Sequence, residues 1–433
     1  MNQRHLFSLL LLSLTFVSQV RADFTPIAGW DKQLFPSFVI GTAALKTEET
    51  QANEFVLGDS NGLLGVEIVA PEDNTNVEVT IECSEYAAPS QFVGRLPQAG
   101  QKYSVFPKMK YRYDAMSQCY QATPANVTYR VRINGGEVIE KTVTITVRPI
   151  NDCPIKIQIG DEIVDASFTF ATYVNEQHPY TDKLLREALD IGIVDAFTGY
   201  QSNSDEEVLR QVYAIWDLLV SRDVRYSNIT TTSSDSSQIL SQNVRLLEST
   251  INNLQANCVD GSVLMVSMLR KIDIESFLIL VPGHCYIGFY LDAEKTKILA
   301  IETTLVGSEL EEPEQISEVL LNAVDESLRG EYSWPSFVQA LELGTGKWLE
   351  SKDKFSDPAE PDYRIIDIAA ARQLGVLPIP FRGNEEFLAF DHSLEEEYWE
   401  ESEDGETEDA EYEEYEESDE DSGYDSEAPQ YDE

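Results

Sequence analysis

The sequence has little positive charge, and this shortage excludes several classes of partner. Its 433 residues include 31 Lys and Arg against 77 Asp and Glu, which gives a formal net charge of −46 at pH 7. Nucleic acids and anionic membrane surfaces recruit clustered Lys and Arg, and so large an acidic excess repels them. We therefore predict no nucleic acid and no anionic membrane surface among the partners.

Metal-binding and phosphate-binding motifs are also missing from the sequence. Five Cys and four His occur, and none of them has the paired spacing of a structural zinc site. No phosphate-binding loop and no dinucleotide-binding fingerprint is present. We predict no cofactor and no bound metal.

Long apolar runs are absent after the first few residues of the chain. Residues 6–17 form a short apolar segment behind Arg4, and Val20-Arg21-Ala22 is a small-residue cleavage pattern. These features are typical of a secretory signal peptide over residues 1–22, cleaved near Ala22. No later run is long enough to span a bilayer. The sequence thus predicts a periplasmic or secreted protein without a membrane span.

The other end of the chain is strongly acidic. Residues 395–433 contain 22 Asp or Glu and no Lys or Arg. Such a segment repels itself and has too few apolar residues to form a core, so we predict a disordered tail over residues 391–433. A solvating role is the favoured interpretation. Loose binding of divalent cations or of a basic protein is the alternative.

Residues 23–150 carry the pattern of β-strands. Apolar and polar residues alternate in four runs, which span residues 65–69, 76–83, 127–133 and 138–148. Asn134-Gly135-Gly136 supplies a tight turn between the last two runs. We predict an antiparallel β-sandwich domain that resembles an immunoglobulin-type module.

From residue 151 onward the sequence predicts helices. Three strands are also predicted there, so we predict an α+β domain over residues 151–390. Ser204 and Glu207 form a capping box ahead of a helix with one apolar stripe. Further helices are expected over residues 181–197, 316–328 and around 337–343. The polar segment 173–179 is predicted to be a loop before a helix, although lining of a cleft is an alternative.

The residues with the clearest chemical potential lie between 257 and 304. Asn257 is a good N-cap and Asp260 follows three residues later, so a helix is predicted to begin at Cys258. The residues after Cys258 are apolar around nearly the whole helix, which is typical of a buried helix. The positive end of a helix dipole stabilises a thiolate. We therefore expect Cys258 at the start of a buried central helix.

Three strands are predicted after this helix. Residues 277–281 form a continuous apolar run, and residues 285–291 and 297–301 have the spacing of a hairpin. If the turn centres on Ala293 or Glu294, Glu302 comes opposite His284 or Tyr286, and these two positions share one face of the sheet. The imidazole and the carboxylate are then neighbours.

The order of Cys258, His284 and Glu302 on a helix and two strands resembles the transglutaminase-like group of papain-fold cysteine enzymes. The segments 255–261 and 281–284 are similar to those of bacterial extracytoplasmic members. The resemblance implies that Cys258 is the nucleophile, His284 the general base and Glu302 the residue that orients the imidazole. It also implies an acyl-thioester on a protein or peptide substrate, in the cell envelope or outside the cell.

The sequence departs from that family at Glu302 and at Cys285, and it leaves three questions open. The third residue of the family is more often Asp or Asn, and Glu302 is one methylene longer. The family also implies an oxyanion donor upstream of the nucleophile, for which Gln242, Gln255 or amides at the helix start are candidates. Acyl transfer to water and to an amine are both compatible with these residues. A catalytically inactive envelope binding or scaffold protein with the same fold is the alternative function.

The remaining cysteines allow two interpretations. In an oxidising compartment Cys83 and Cys119 are the preferred disulfide pair, and the alternative is that all the remaining cysteines are reduced core residues. Cys285 follows His284 directly, so its side chain should point to the opposite face of the strand. We predict that Cys285 is a core thiol.

Overall fold

The computed structural model of the protein describes residues 23–46, 54–228, 236–383 and 385–389. The signal peptide predicted for residues 1–22 and the acidic tail predicted for 391–433 lie outside these residues. The described chain is a mixed α/β structure with several sheets. In the part of the chain that is described, no helix has both the length and the apolar character needed to cross a membrane.

The first 150 residues contribute two sheets. Their strands and helices are β1 (Phe24–Ala28), β2 (Gln33–Leu34), α1 (Pro36–Gly41), β3 (Val56–Gly58), β4 (Leu64–Val69), β5 (Thr75–Cys83), β6 (Ala87–Leu96), β7 (Lys102–Phe106), β8 (Lys110–Tyr111), α2 (Tyr113–Ser117), β9 (Thr123–Ile133) and β10 (Val138–Val147). One sheet has the order β1-β4-β7-β3 and the other β2-β10-β9-β5-β6-β8. The pairs are antiparallel except β2 with β10 and β3 with β7.

Buried and more exposed residues alternate along several of these strands, and the buried residues of the two sheets belong to one hydrophobic core. Val66 of β4 and Val79 of β5 are both buried members of the same apolar cluster. The predicted turn between β9 and β10 is confirmed, since Asn134 and Gly135 both have positive φ, at 48° and 70°. β6 was not predicted, because Pro89 and the small polar residues around it hide the alternation.

The predicted disulfide between Cys83 and Cys119 is wrong. Both thiols are free, as are those of Cys153 and Cys285, and all four are buried. The Cys119 thiol donates to the carbonyl of Gln121 at 3.3 Å. Burial raises the pKa of Cys83. The alternative interpretation of reduced core thiols is the one that the structure supports.

The second half of the described chain surrounds one long buried helix. Its elements are β11 (Asp152–Ile159), β12 (Glu162–Asp165), α3 (Pro179–Ile191), α4 (Asp205–Ser221), β13 (Arg225–Tyr226), β14 (Ile239–Asn243), α5 (Leu247–Asn253), β15 (Gln255–Ala256), α6 (Cys258–Lys271), β16 (Ser276–Val281), β17 (His284–Tyr290), β18 (Ile298–Ile301), α7 (Glu318–Ala323), α8 (Ser333–Ser351), β19 (Arg364–Asp367) and α9 (Ile368–Leu374). Short 3-10 helices span Ser167–Thr172, Thr303–Leu305, Glu326–Leu328 and Lys352–Ser356.

Two antiparallel sheets and a short parallel pair accompany the buried helix. The sheets have the orders β12-β11-β14 and β18-β17-β16-β19, and β13 pairs with β15 in parallel. Helix α6 packs on β16 and β17 and is enclosed on other sides by α3, α4 and α5. Nearly every residue of α6 from Val259 to Leu269 is buried. The prediction of a buried helix that begins at Cys258 is confirmed.

Helix boundaries differ from the predictions where glycine is involved. The helix predicted over 181–197 ends at Ile191, because Gly192 follows with a φ of 89° and closes it. The piece predicted around 337–343 is the middle of the 19-residue helix α8, which runs on through Gly344 and Gly346. The predicted loop before α3 is confirmed, and His178 caps this helix by accepting from the amide of Tyr180.

Candidate active site

A reciprocal cap fixes the start of α6. The amides of Val259 and Asp260 donate to Asn257 Oδ1 at 2.8 and 2.9 Å, and the amide of Asn257 donates to Asp260 Oδ2 at 3.0 Å. Asp260 is buried and also accepts from the amide of Arg245 at 2.8 Å. The predicted N-cap at Asn257 is confirmed, and Asp260 completes it as a capping box. Cys258 is therefore held as the first residue of a rigid helix.

The first turn of α6 is joined to the segment that follows β18. Ser262 Oγ donates to the carbonyl of Cys258 at 2.6 Å and lies 3.1 Å from Thr303 Oγ1. A Cβ on Gly261 would lie 3.3 Å from Thr303 Cβ, so a residue without a side chain permits this close packing. Hydrogen bonds through Ser262 and close packing at Gly261 thus join the first turn of α6 to Thr303, the residue after Glu302.

The hairpins bring His284 and Glu302 into contact. Val281 pairs with His284 across a turn in which Gly283 has a φ of 71°. Ile301 pairs with Ile287, so Glu302, one residue further on, comes level with Tyr286. His284 Nε2 lies 2.7 Å from Glu302 Oε2. The predicted contact between the imidazole and the carboxylate is present, and the register is one of the two that the hairpin allowed.

Their environment favours a charged imidazole and a charged carboxylate. The pKa of His284 is raised from 6.5 to about 9 by hydrogen bonding to Cys258 and to Glu302, although burial acts in the opposite direction. Burial opposes ionisation of Glu302, which is 1% exposed, but hydrogen bonds from His284 and Lys347 lower its pKa to about 2. At neutral pH the site therefore holds an imidazolium on an ionised Glu302.

Two residues of this site were missed from the sequence. Lys347 Nζ contacts the same oxygen of Glu302 as His284 does. Thr304 Oγ1 donates to the other oxygen, Oε1, at 2.7 Å. Lys347 was missed because the Gly344-Thr345-Gly346 sequence is typical of a helix end, whereas α8 continues through it. Thr304 directly follows Thr303, and its role depends on the turn after β18.

Cys258 and His284 line one cleft of about 590 Å³. Of the five cysteines, all in described segments, Cys258 is the one that is not buried. Apolar walls come from Ile155, Phe170, Leu240 and Leu280. Further from the thiol, Lys156 contacts Asp362, and Arg364 Nε donates to Asp165 at 2.8 Å. An apolar segment with a polar backbone could lie between these walls and reach the thiol.

The candidates for an oxyanion donor separate in the structure. Gln242 lines the same cleft as Cys258, and its Nε2 donates to the carbonyl of Asn243 at 3.1 Å. Gln255 is not among the described residues that line the cleft. The amides of Val259 and Asp260 are taken by the cap, which does not use the amide of Cys258. Gln242 and the amide of Cys258 therefore remain as candidates.

Cys285 is buried although it follows His284 directly. Its exposed fraction is 1%, and burial raises the pKa of its thiol well above the usual value. The prediction of a core thiol is confirmed. Within the described residues, no group of three or more His, Cys, Asp and Glu side chains is arranged to hold a metal ion.

Comparison with known proteins gives distant structural similarity alone. No protein-family model matches the chain, and no curated protein matches it. Among solved structures, the chain is similar to the crystal structure of a proposed cysteine protease from Cytophaga hutchinsonii. The identity is 13% and the TM-score 0.20, over 55% of this chain and 75% of that chain. At this score the similarity carries no argument, so function has to be argued from the geometry of the site.

Proposed function

We propose that the protein is a thiol-dependent amidase, peptidase or acyltransferase of the transglutaminase-like class that acts on a protein or peptide. The observation that supports it is the grouping of a partly exposed Cys258 with an imidazole whose other partner is a buried carboxylate, His284 on Glu302. A nucleophile, its base and an orienting group at one wall of a cleft are what acyl transfer requires.

The proposed reaction has two steps. The Cys258 thiolate attacks the carbonyl carbon of an amide and forms a C–S bond. His284 gives its proton to the leaving amine as the C–N bond breaks. In the second step water or an amine attacks the acyl-thioester, His284 takes its proton, and the C–S bond breaks to restore the thiolate. Glu302 keeps the imidazole oriented through both steps.

Charge that develops on the carbonyl oxygen needs hydrogen-bond donors. We assign this role to the side-chain amide of Gln242 and the backbone amide of Cys258. Gln242 carries two donor hydrogens on Nε2, and its contact with the carbonyl of Asn243 uses one of them. Donors aimed at such an oxygen contribute about 10²-fold to 10³-fold to turnover.

The same proposal includes an architecture and a location. Residues 23–150 would form a β-sandwich, and 151–390 a papain-like core in which α6, β16, β17 and β18 follow one another in the family's order. Cleavage near Ala22 would release the protein to the periplasm or the exterior. There its acidic surface would remain solvated, and its substrate would be a protein or peptide of the envelope or the medium.

Labelling with fluorescent iodoacetamide tests the proposal. We expect Cys258 to be labelled at pH 6 at least about tenfold faster than free cysteine, because it lies at a helix start beside the His284 imidazolium, and both favour negative charge on sulfur. His284→Ala should remove this advantage. Cys285→Ala is the matched control, since it removes a neighbouring thiol and should leave the rate unchanged. Labelling of Cys258 at the rate of free cysteine would instead favour an inactive binding or scaffold protein.

Substrates can be sought with the same variants. Envelope or secreted proteins are incubated with the wild type and with Cys258→Ala and then analysed by mass spectrometry. Peptides cleaved in the wild-type sample alone indicate hydrolysis, and cross-linked or amine-modified peptides indicate transamidation. Identical peptide maps in both samples would count against an enzyme that acts on these proteins.

A further inference from the structure

Glu302 receives two cations on one oxygen. His284 Nε2 lies 2.7 Å from Oε2, and Lys347 Nζ contacts the same atom. The second oxygen, Oε1, accepts from both Oγ1 and the amide of Thr304, at 2.7 and 3.3 Å. The carboxylate is 1% exposed, whereas the Lys347 side chain is 37% exposed. A buried anion is thus held from three sides, and one of its partners reaches it from the surface.

Helix α8 is shaped to bring Lys347 to this position. A Cβ on Gly344 would lie 2.6 Å from the carbonyl oxygen of Ala300 and 2.8 Å from the amide nitrogen of Glu302. Glycine destabilises a helix interior, so its presence here has a packing reason. Thr345 Oγ1 accepts from the amide of Ala300 at 3.1 Å. Lys347 lies three residues after Gly344, so it shares the face of α8 that meets β18.

We propose that Lys347 is a positioning residue that acts on His284 through Glu302: its ammonium offsets part of the negative charge that this carboxylate presents to the imidazole. The inference rests on the proposed function. A glutamate has one more torsion than an aspartate, so its carboxylate needs additional anchors to present one oxygen to the imidazole. Thr304 supplies such an anchor at Oε1, and Lys347 acts on the charge at Oε2.

Several groups face His284, and they set the sign of the expected effect. They are Cys258 on α6, Tyr226 on β13, Tyr286 on β17, Glu302 after β18 and Lys347 on α8. Glu302 favours the protonated imidazole, and an ammonium on the same oxygen opposes it. Without Lys347, His284 should hold its proton to a higher pH.

Two variants are therefore expected to move the pKa of His284 in opposite directions. Lys347→Met should raise it by about half a unit to one unit, since a positive charge is removed beside the imidazolium. Glu302→Gln should lower it toward 6.5, the ordinary value. Lys347→Arg retains the charge and should restore the wild-type value. If Lys347 instead acted mainly by holding the Glu302 carboxylate against the imidazole, its loss would loosen that contact and lower the pKa of His284.

The measurement is an NMR titration of the histidine ring signals in the full chain. The sequence has four His, and the His284 signal is identified as the one lost in His284→Gln. Lys352→Met is the matched control, because Lys352 is an exposed lysine directly after α8, five residues beyond Lys347. Melting temperatures of all variants verify folding, and labelling of Cys258 with iodoacetamide runs in parallel.

The outcomes separate the two proposals. A wild-type His284 that titrates near 9 and rises in Lys347→Met, with Lys347→Arg and Lys352→Met unchanged, supports the positioning role. A wild-type value near 9 that stays constant or falls in Lys347→Met overturns the role of Lys347 and leaves the proposed function standing. A wild-type value near 6.5, with slow labelling of Cys258, overturns the proposed function itself.

Discussion

Two histidine–glutamate pairs occur in the second half of the described chain, and they differ in what surrounds them. His178 Nε2 lies 3.0 Å from Glu248 Oε2, and His284 Nε2 lies 2.7 Å from Glu302 Oε2. The side chain of His178 is 3% exposed and that of His284 is 24% exposed. The geometry of the pair is similar in both places, so it does not by itself indicate a chemical role.

The second ring nitrogen separates the two pairs. His178 Nδ1 accepts from the amide of Tyr180, and Phe381 packs edge-on against the ring at 4.6 Å. Its Nε2 then carries the proton donated to Glu248, so neither nitrogen is free to exchange a proton with a substrate. In His284 the nitrogen that does not face Glu302 remains available to the Cys258 thiol. The first pair stabilises a helix start, and the second is suited to proton transfer.

Stability should distinguish the pairs most strongly. His178→Ala removes the cap of α3 and leaves Glu248 buried without its partner, so we expect a loss of about 3 kcal/mol. At pH 8, His284→Ala should cost about 1 kcal/mol, because the ring is partly exposed and Glu302 keeps Lys347 and Thr304. Urea unfolding followed by circular dichroism measures both. Equal losses would contradict the division into a structural and a chemical pair.

The reactivity of the Cys258 thiol should depend on the His284 pair much more than on the His178 pair. His284→Ala is expected to slow labelling of Cys258 by about tenfold at pH 6, since the thiolate loses its imidazolium partner. His178→Ala should change the rate less than about twofold at a temperature well below its melting point. The rate of iodoacetamide labelling is measured by mass spectrometry of the Cys258 peptide. A large decrease in His178→Ala would show that the two pairs are coupled.

Local signals made much of the second pair predictable from the sequence, and long-range contacts hid the rest. The Asn257 and Asp260 cap and the hairpin that carries His284 involve residues close in the chain, and both were predicted. The contact of His178 with Glu248 joins residues 70 positions apart. The contact of Lys347 with Glu302 depends on how α8 packs on β18, which no local pattern encodes.

The disulfide prediction was wrong because no local pattern specifies which cysteines are neighbours. Pairing Cys83 with Cys119 relied on compartment and on the number of cysteines, which do not specify where each thiol lies. In the structure Cys83 is at the end of β5, and Cys119 follows α2 and accepts from the hydroxyl of Tyr86 at 3.7 Å.

The β-sandwich, the papain-like core and the boundary at residue 150 stay predictions.

The two carboxylates should differ in a further, smaller way. Glu302→Gln is expected to slow labelling of Cys258 about threefold to fivefold at pH 7, because the imidazolium is less favoured without the carboxylate. Glu248→Gln is the matched control at the other pair and should leave the rate unchanged. The same labelling assay measures both variants. An unchanged rate in Glu302→Gln would remove this residue from the site, while a decrease in both variants would indicate a general effect of structure.

The pH dependence of stability is a further consequence of the raised pKa of His284. The pKa of His284 is raised from 6.5 to about 9 in the folded protein. Protonation of this ring therefore stabilises the folded state fully below pH 6.5, and the contribution is lost as the pH rises through 9. The pKa of Glu302 is lowered from 4.5 to about 2, so its contribution is present above pH 4.5 and is lost as the pH falls through 2.

The contribution of His284 to stability is measured as the difference in urea midpoint between the wild type and His284→Ala. We expect the urea midpoint of the wild type to exceed that of His284→Ala by a margin that is largest at pH 6, smaller at pH 8 and lost at pH 10. The comparison is repeated in a Cys258→Ala background, which prevents oxidation of the thiol at high pH. This background also lacks the Cys258 partner of His284, so the margin should be smaller in it than in the wild-type background. A margin that stays constant from pH 6 to pH 10 would mean that His284 stabilises the protein by packing alone, as His178 is inferred to do through its cap and its aromatic contact.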